Sequence, residues 1–286
     1  MINLIKDPTF SKGFSILRRS LLEDNHTGLM SLPFSNLEAP TYRLAEYFTK
    51  ADLYHERDVR VFEGGYSIAN RCKEVIRDPQ GRLTLGVDCH DEYDHPRQPN
   101  EPWPHLLVEQ EFGYRPLSGM KSLVVELDVE ILALESLMGE DRNDLHTLQA
   151  SLYLAVGDRN PNSKSYQDFY WFGLPFMDAP RLDYPKPYCS EDVGKEDATG
   201  KLIYCIDPHI YLPPRFGVGD KARIKLDVLK FIYDGFAKAQ ELGYMPFTDR
   251  RDLGLISLNI GFEATGAISG KIRIDRLNLM EEGENE

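Results

Sequence analysis

The sequence predicts an all-β protein, an antiparallel two-sheet β-sandwich of the jelly-roll type, with one amphipathic helix near residues 221–243. Two observations predict this fold. At least eight segments alternate apolar and polar residues with the period of two that is typical of strands. One late segment instead repeats apolar residues every three or four positions, as a surface helix does. Many short strands accompanied by a single helix favour two packed sheets.

The strands follow from this alternation along the chain. Segments 67–76 and 82–89 flank Asp78-Pro79-Gln80-Gly81, which predicts a β-hairpin whose turn begins at the proline. Further strands are predicted at 122–132, 148–156, 170–176, 201–206, 256–264 and 271–279. In the last of these the apolar phase shifts between Ile274 and Leu277, and this shift predicts a bulge near Asp275-Arg276.

The helical segment carries its apolar residues at Val228, Ile232, Phe236, Ala239 and Leu242. Asp220 can cap the start of a helix here, and Gly243 can end it. We expect this helix to pack against the sandwich.

Length and composition fit a single domain, residues 1–280, followed by a frayed acidic tail at 281–286. The 286 residues are 42% hydrophobic, which is ample for a core and excludes global disorder. The 33 basic and 46 acidic residues give a net charge of -13. This charge argues against a nucleic-acid partner and repels anionic lipid head groups.

The start of the chain shows no secretory signal, because charged residues and a proline interrupt it. No later stretch approaches the roughly 20 apolar residues of a membrane span. We therefore expect a cytoplasmic protein with no membrane partner. The four cysteines, Cys72, Cys89, Cys189 and Cys205, lack zinc spacing and favour reduced, mostly buried thiols. Two disulfides are the alternative if the protein is exported.

Three carboxylates stand at alternate positions of one predicted strand: Glu126, Asp128 and Glu130. On a strand they point to one side of the sheet. The pentapeptide resembles the Glu-x-Asp-x-Glu signature of laminarinase- and lichenase-type glycoside hydrolases. This resemblance implies a retaining mechanism with Glu126 as nucleophile, Glu130 as acid/base and Asp128 between them. A solvated strand face is the alternative, since a chain this acidic produces such a triple by chance.

A second set of polar residues comprises His146, Gln149 and Tyr153. It resembles the catalytic sets of jelly-roll polysaccharide lyases. The resemblance implies that the amide neutralises a uronate carboxyl group while Tyr or His moves the proton. The net charge of -13 disfavours such an anionic polymer as substrate. The alternative is that His146 lies in a loop with local hydrogen bonds.

Aromatic and amide side chains point to a ligand class. Trp103 precedes one predicted strand, and Trp171 lies in another. Sugars stack their C–H faces on such rings, while amides and carboxylates bind their hydroxyl groups. Gln149, Asn259 and Glu263 are candidates for this second task, and Gln110 offers a further amide. His146 and Tyr153 complete the predicted ligand-binding set with Trp103 and Trp171. Because strands alternate, either Trp171 or its neighbours must face the core.

The last two predicted strands resemble those of jelly-roll carbohydrate-binding modules. In those modules an Asp in the final strand often belongs to a structural calcium site, and this resemblance implies that role for Asp275, with Asp7 as its partner. A wider resemblance, to a family of bacterial jelly-roll proteins, implies a concanavalin- or galactose-binding-like fold and no particular activity. It is carried by Trp-Pro-His-Leu-Leu, His146-x-x-Gln149, Asn160-Pro161-Asn162-Ser163, Trp171-Phe172-Gly173 and Asn259-Ile260-Gly261-Phe262-Glu263.

The sequence thus favours carbohydrate recognition on an outward sheet face, with a saccharide as partner and no cofactor apart from the structural calcium. A retaining glycoside hydrolase is the first alternative, and a polysaccharide lyase is less favoured. The remaining hypothesis is a non-catalytic assembly protein, a homo-oligomer whose exposed aromatic residues form the subunit interface.

Overall fold

A computed structural model of the chain describes residues 1–17, 29–32, 39–98, 100–137, 147–179, 185–193 and 198–283. These residues form seventeen strands and one α-helix, α1 (Leu229–Glu241). The strands are β1 (Ile2–Asn3), β2 (Phe14–Leu17), β3 (Leu29–Leu32), β4 (Tyr42–Ala45), β5 (Asp58–Phe62), β6 (Gly65–Ala69), β7 (Lys73–Arg77), β8 (Leu83–Asp88), β9 (His105–Pro116), β10 (Met120–Ser136), β11 (Leu148–Asp158), β12 (Phe169–Ala179), β13 (Tyr188–Glu191), β14 (Leu202–Cys205), β15 (Lys221–Asp227), β16 (Leu253–Ala264) and β17 (Ile268–Gly283).

The strands form two sheets. Sheet A has the order β15-β10-β17-β8-β7-β6-β5, and β1 pairs with β17. Sheet B has the order β13-β14-β12-β11-β16-β9-β4-β2-β3. The pairing is antiparallel except between β2 and β4 and between β12 and β14. The predicted all-β sandwich is therefore confirmed, with two parallel pairs that the sequence did not predict.

The core lies between the sheets and follows the predicted alternation. Leu123, Val125 and Leu127 of β10 are buried on the inner face of sheet A. Leu152 and Leu154 of β11 are buried on the inner face of sheet B. The buried apolar residues of both sheets belong to one cluster, so the two inner faces share a single core.

The hairpin predicted at 78–81 is confirmed between β7 and β8. Asp78 and Gly81 close the turn with a 2.9 Å backbone hydrogen bond, and Gly81 has a positive φ of 80°. The strand predicted at 67–76 is wrong, because β6 and β7 are separate strands of a second hairpin. Asn70 makes that turn by accepting the backbone N–H groups of Cys72 and Lys73 on its side chain.

The bulge predicted in the final strand is confirmed. Asp128 of β10 stands opposite Arg276 of β17, and Val129 stands opposite Ile274, so Asp275 is the extra residue. β17 continues to Gly283, which places residues 281–283 of the predicted tail in a strand. Glu281 there binds Arg115 at 2.5 Å.

The helix predicted near 221–243 is correct only in its second half. Residues 221–227 form β15, whose inner residues Ala222 and Ile224 alternate with Lys221, Arg223 and Lys225. α1 begins at Leu229, and the side chain of Asp227, rather than Asp220, accepts its first N–H at 3.1 Å. Gly243 follows the helix with a positive φ, as predicted.

α1 lies against one open side of the sandwich. The Tyr170 hydroxyl of β12 donates to the backbone oxygen of Ile232 at 2.5 Å. Gly235 faces the rings of Tyr170 and Tyr204, which leave no room for a side chain there. Two 3-10 helices, Pro208–Ile210 and Arg250–Asp252, complete the described helices, and none of these is long and apolar enough to cross a membrane.

A buried ion cluster fixes the segment that follows β4. The Lys73 ammonium lies 3.2 Å from Glu46 and 3.9 Å from Glu92, and all three side chains are almost fully buried. Burial raises the pKa of Glu46, and the charge of Lys73 opposes that rise. The cluster holds Tyr47 and Phe48, the residues after Glu46, beside sheet B.

The four cysteines are free thiols. Cys72, Cys89 and Cys205 are buried, and Cys189 on β13 is exposed. Burial raises the pKa of the Cys72 thiol to about 11 and that of Cys205 to about 12. These values leave both thiols protonated and unreactive at neutral pH.

Candidate functional site

The outer face of sheet B brings together five of the seven residues that were predicted to bind a ligand. Gln149 and Tyr153 lie on β11, Trp171 on the neighbouring β12, and Asn259 and Glu263 on the neighbouring β16. All five project away from the core, because the residues between them, such as Leu152 and Ile260, are fully buried.

Two polar rows cross this face. In the first row Asp178, Gln149, Glu263 and His105 stand side by side on four adjacent strands. In the second row the order is Tyr153, Asn259, Glu109 and Arg43. Both rows follow from strand register alone, because paired residues on neighbouring strands point to the same side.

A row of small and apolar residues separates the two polar rows: Pro175, Ser151, Gly261, Leu107 and Ala45. Gly261 is required here, because it has a φ of 150° and a Cβ would collide with the backbone of Leu106. The two polar rows therefore lie on either side of a strip of shorter and apolar side chains.

His105 is the most enclosed polar residue of the face. It is 3% exposed, and the rings of Tyr47 and Phe48 contact it at centroid distances of 5.4 and 6.4 Å. Its Nε2 lies 3.4 Å from Glu263 Oε2. Its Nδ1 has no hydrogen-bond partner among the described residues, and neither has Asn259 Oδ1. Both atoms are shielded from solvent, so they lie beneath the accessible surface of the face.

Glu109 carries a perturbed carboxyl group at the centre of the second row. Burial raises its pKa, and the Arg43 guanidinium, 2.7 Å away, opposes this rise. Arg43 also binds Glu111, at 2.8 Å. A single arginine thus holds two carboxylates on the rim of the face.

An aromatic group occupies the end of the face at β12, β13 and β14. The hydroxyl groups of Tyr153 and Tyr188 share a hydrogen bond, and Cys205 Sγ lies 3.9 Å from the Tyr153 oxygen. Gly173 has no side chain and so leaves room for the Tyr153 ring and the Cys205 sulfur, because a Cβ there would lie 2.5 Å from Tyr153 Cε1. Trp171 packs edge-on against Tyr153 at 6.3 Å and is half-buried, so part of its ring is accessible.

Burial raises the pKa of Tyr153 well above the usual value of a tyrosine. Its phenol is therefore neutral at physiological pH. Such a group serves as a hydrogen-bonding partner and is a poor general base, which disfavours the proton-abstracting role that the lyase resemblance implies.

The two remaining predicted ligand residues differ in position. Trp103 lies just before β9, where it is 9% exposed and the Arg97 guanidinium stacks on its ring at 4.8 Å. This stacking occupies one face of the ring. His146 lies outside the described residues.

The acidic strand residues Glu126, Asp128 and Glu130 lie on the outer face of sheet A, on the opposite side of the sandwich from Trp171. Each carboxylate meets basic groups on neighbouring strands. Glu126 binds Lys225 at 2.9 Å, Asp128 lies 3.7 Å from Arg276, and Glu130 binds Arg273 and lies 3.3 Å from Lys221. The three residues form a cross-strand ion-pair ladder.

The hydrogen bond from Lys225 lowers the pKa of Glu126. Glu130 shares its Arg273 partner with Asp275, which binds that guanidinium at 2.7 Å. Each carboxylate of the ladder is thus paired with a basic side chain on a neighbouring strand.

The two residues predicted to bind calcium are each engaged locally. Asp7 accepts hydrogen bonds from the Lys12 backbone at 2.8 Å and from Ser11 at 3.1 Å. Asp275 binds Arg273. Among the described residues no group of three or more His, Cys, Asp or Glu side chains is arranged to hold a metal ion. Two such acidic residues alone fall short of the six to eight oxygens that calcium takes.

Sequence reasoning missed Glu109, His105, Asp178 and Arg43 on this face. β9 begins with six buried residues, so its outer residues do not stand out by alternation. Gln110, which the sequence suggests as a hydroxyl-binding residue, points the other way and binds the backbone of Leu4 and Lys6. The spacing of His105, Glu109 and Glu111 could have revealed this polar face, because residues at odd positions of one strand share a side.

No protein-family model matches the chain, and no curated protein matches its sequence. Several solved structures resemble it. The xyloglucanase domain of NopAA from Sinorhizobium fredii, in complex with cellobiose, is 13% identical with a TM-score of 0.40, covering 79% of this chain and 96% of that one. A family 12 xyloglucanase from Bacillus licheniformis is 11% identical with a TM-score of 0.41, covering 79% and 97%. Endoglucanase cel12A from Rhodothermus marinus is 13% identical with a TM-score of 0.41, covering 79% and 96%.

These solved structures are glycoside hydrolases, in agreement with the predicted distant resemblance to that class. At this low identity and TM-score the likeness carries no argument about what the chain binds or does. The jelly-roll sandwich is assigned from the two sheets themselves.

Proposed function

We propose that the outer face of sheet B binds a saccharide. The observation that carries this proposal is the register of β12, β11 and β16. It places the half-buried Trp171 ring beside Tyr153 and on the same face as Gln149, Asn259 and Glu263. An accessible aromatic ring flanked by amide and carboxylate groups is the chemistry that recognises a sugar.

The accessible polar groups of the face fit this ligand class. Gln149 and Glu263 are half-buried, so part of each side chain is open to solvent. A sugar hydroxyl group can donate to the Glu263 carboxylate or to the Gln149 amide oxygen, and it can accept from the Gln149 amide nitrogen. A sugar presents several hydroxyl groups on one ring and can bind both side chains together.

The charge of the face selects among sugars. Asp178, Glu109, Glu111 and Glu263 provide four carboxyl groups, and Arg43 is already bound to two of them. An anionic uronate polymer would be repelled by this arrangement. We therefore propose a neutral oligosaccharide as the ligand.

The proposal is tested by calorimetric titration with a panel of neutral and uronate oligosaccharides. Trp171→Ala should weaken binding of the best neutral ligand at least about tenfold, because loss of a stacking ring removes about 1–3 kcal/mol. The matched control is Phe62→Ala, an exposed aromatic residue on the edge strand of sheet A, which should leave binding unchanged. Absence of binding to every neutral oligosaccharide, or equal binding by Trp171→Ala, would contradict the proposal.

Hydrolysis on the same face is the second candidate, and a specific observation favours it. Asp178 and Glu263 flank Gln149 from its two neighbouring strands, so their Cα atoms lie about 10 Å apart at two strand spacings. Inverting glycoside hydrolases place their two carboxyl groups about 6.5–9.5 Å apart, a separation that these two carboxyl groups reach if their side chains lean toward Gln149. This pair lies beside the proposed sugar site, whereas Glu126 and Glu130 lie on the other sheet.

Four variants distinguish a hydrolase site on sheet B from one on sheet A. If Asp178 and Glu263 act, Asp178→Asn and Glu263→Gln each abolish release of reducing sugar from neutral β-glucans, and Glu126→Gln and Glu130→Gln retain it. Loss of activity in Glu126→Gln, with folding intact, would instead restore the retaining mechanism implied by the sequence resemblance. Proton NMR of the first-formed anomer gives an independent readout of inversion or retention.

A further inference from the structure

A cavity lies at the edge of sheet B, beyond the Tyr153–Tyr188 hydrogen bond at the end of the saccharide-binding rows. Its volume is about 390 Å³, and β13, β14, the 3-10 helix Pro208–Ile210 and α1 surround it. Its lining includes Cys189 and Ile210. This volume accommodates a small organic molecule or one long side chain.

The lining combines aromatic rings with acidic groups. Tyr188, Tyr204 and Phe231 provide three rings, and Asp207 and Asp234 provide two carboxylates. None of the described lining residues is basic. Aromatic faces carry negative charge from their π electrons, and carboxylates add a full negative charge, so both attract a cation.

The protein already places a cation of its own against this wall. Lys230 binds Asp234 at 2.6 Å, and its ammonium lies over the Phe231 ring at 5.5 Å from the centroid. The Lys230 side chain is 78% exposed, so this ion pair is weak and readily displaced. His209 binds Asp207 in a similar way, at 2.7 Å and 70% exposed. Both carboxylates are therefore available to a competing cation.

We propose that this cavity is a binding site for an organic cation, either a small alkylammonium compound or the side chain of a lysine or arginine. The ligand's charged group would take the place of the Lys230 ammonium between Asp234 and Phe231. Its apolar part would lie against Ile210 and the tyrosine rings. The net charge of -13 favours the approach of such a ligand over that of an anion.

Cys189 provides a built-in reporter. It lines the cavity and is the one exposed cysteine of the four, because Cys72, Cys89 and Cys205 are buried. A bound ligand shields its thiol from alkylation. The rate of maleimide labelling, measured by intact-protein mass, therefore reports occupancy of this cavity. It is measured without saccharide, because Tyr188, the residue before Cys189, hydrogen-bonds to Tyr153 of the saccharide-binding face.

The experiment compares choline with its uncharged carbon isostere, which has the same shape and no charge. Choline should slow labelling of Cys189 in a saturable manner with a half-effect at or below about 10 mM, which suits a small cation bound by a few weak contacts. The isostere should have no effect at the same concentration. Capped lysine and capped arginine, tested in parallel, show whether a peptide side chain or a quaternary amine is preferred.

Variants make the test specific. Asp234→Asn and Phe231→Leu should each weaken choline protection about fivefold to tenfold, because each removes one source of cation attraction. Lys230→Met should strengthen it about twofold to fivefold, because it removes the internal competitor. Asp128→Asn on sheet A, which changes the net charge by the same amount as Asp234→Asn, should leave protection unchanged.

Equal protection by choline and its isostere would overturn the proposal, since it would show an apolar pocket. Absence of protection by every cation tested would overturn it as well. Unchanged protection in both Asp234→Asn and Lys230→Met would place the cation elsewhere. The labelling rate of the unliganded variants shows whether the cavity itself has kept its shape.

Discussion

The two outer faces of the sandwich use charged and polar residues in opposite ways. On sheet A the carboxylates of β10 meet lysines and arginines on both neighbouring strands, so their charges are compensated within the protein. On sheet B the polar groups are shielded to different degrees: His105, Glu109, Asp178 and Asn259 are buried, whereas Gln149 and Glu263 are half-buried.

This difference shows that a conspicuous row of charges in a sequence can fold into a set of ion pairs. The ladder of sheet A is prominent in the sequence, yet each of its carboxylates lies beside a basic side chain on a neighbouring strand. The polar rows of sheet B are scattered over five strands in the sequence. They come together only through strand pairing, which places them on one face beside the half-buried Trp171.

The largest difference in stability between the two faces is expected from alanine substitution of one glycine on each face. Gly173→Ala on sheet B forces a methyl group against the Tyr153 ring and the Cys205 sulfur, and should reduce the free energy of unfolding by about 1–3 kcal/mol. Gly86→Ala on sheet A meets the Glu74 side chain at 2.7 Å, which can swing away. Its effect should be smaller, and urea unfolding of both variants measures the difference. Equal losses would show that the two faces are packed alike.

An intermediate effect is expected in the pH dependence of stability, with opposite signs on the two faces. The pKa of Glu126 is lowered in the fold by Lys225, so its stabilisation is present above about pH 4.3 and is lost as pH falls through the folded pKa. The pKa of Glu109 is raised by burial, so its contribution is present below about pH 4.3 and is lost as pH rises through the folded pKa.

The stability of the unmodified protein, measured relative to Glu126→Gln, should therefore increase with pH in the acidic range. Measured relative to Glu109→Gln, it should decrease with pH. Chemical unfolding of the three proteins at a series of pH values gives both differences. The same sign for both carboxyl groups would remove the electrostatic distinction between the faces.

The smallest effect is expected on sheet A. Arg276→Ala removes a half-exposed partner of Asp128 and should reduce the free energy of unfolding by less than about 1 kcal/mol. The loss should shrink further in about 1 M salt, where charges are screened within about 3 Å. Saccharide binding should not change. A salt-independent loss of several kcal/mol would show that the ladder is a buried network rather than a surface one.

Much of the fold and part of the site could be predicted from the sequence. Strict alternation in β11 and β16 assigned Gln149, Tyr153, Asn259 and Glu263 to outward positions, because a period of two depends only on the strand itself. The order of strands depends on pairing between distant segments. Nothing local indicates that β11 lies between β12 and β16, which is what brings these residues to one place.

The wrong and missed predictions likewise arise where a local pattern is ambiguous or where long-range pairing decides the structure. Lys221–Asp227 falls inside the predicted helix because Asp220 offers a possible N-cap, although the apolar residues of the helical pattern begin only at Val228. His105 and Glu109 escaped notice because both faces of β9 are buried, which removes the polar alternation. Tyr188 and Cys205 join the face through β13, β14 and the parallel pairing with β12, a long-range contact that no local pattern encodes.

The meander of β5, β6, β7 and β8 should unfold locally before the rest of sheet A. Its pairs, such as Val59 with Ile68, join residues close in sequence, whereas Val125 of β10 pairs with Leu279 of β17. β5 is exposed along its whole length at the edge of sheet A. This end of the sheet can therefore separate and reform without disturbing the long-range strands, and its amide protons should exchange with solvent well before those of β10 and β17.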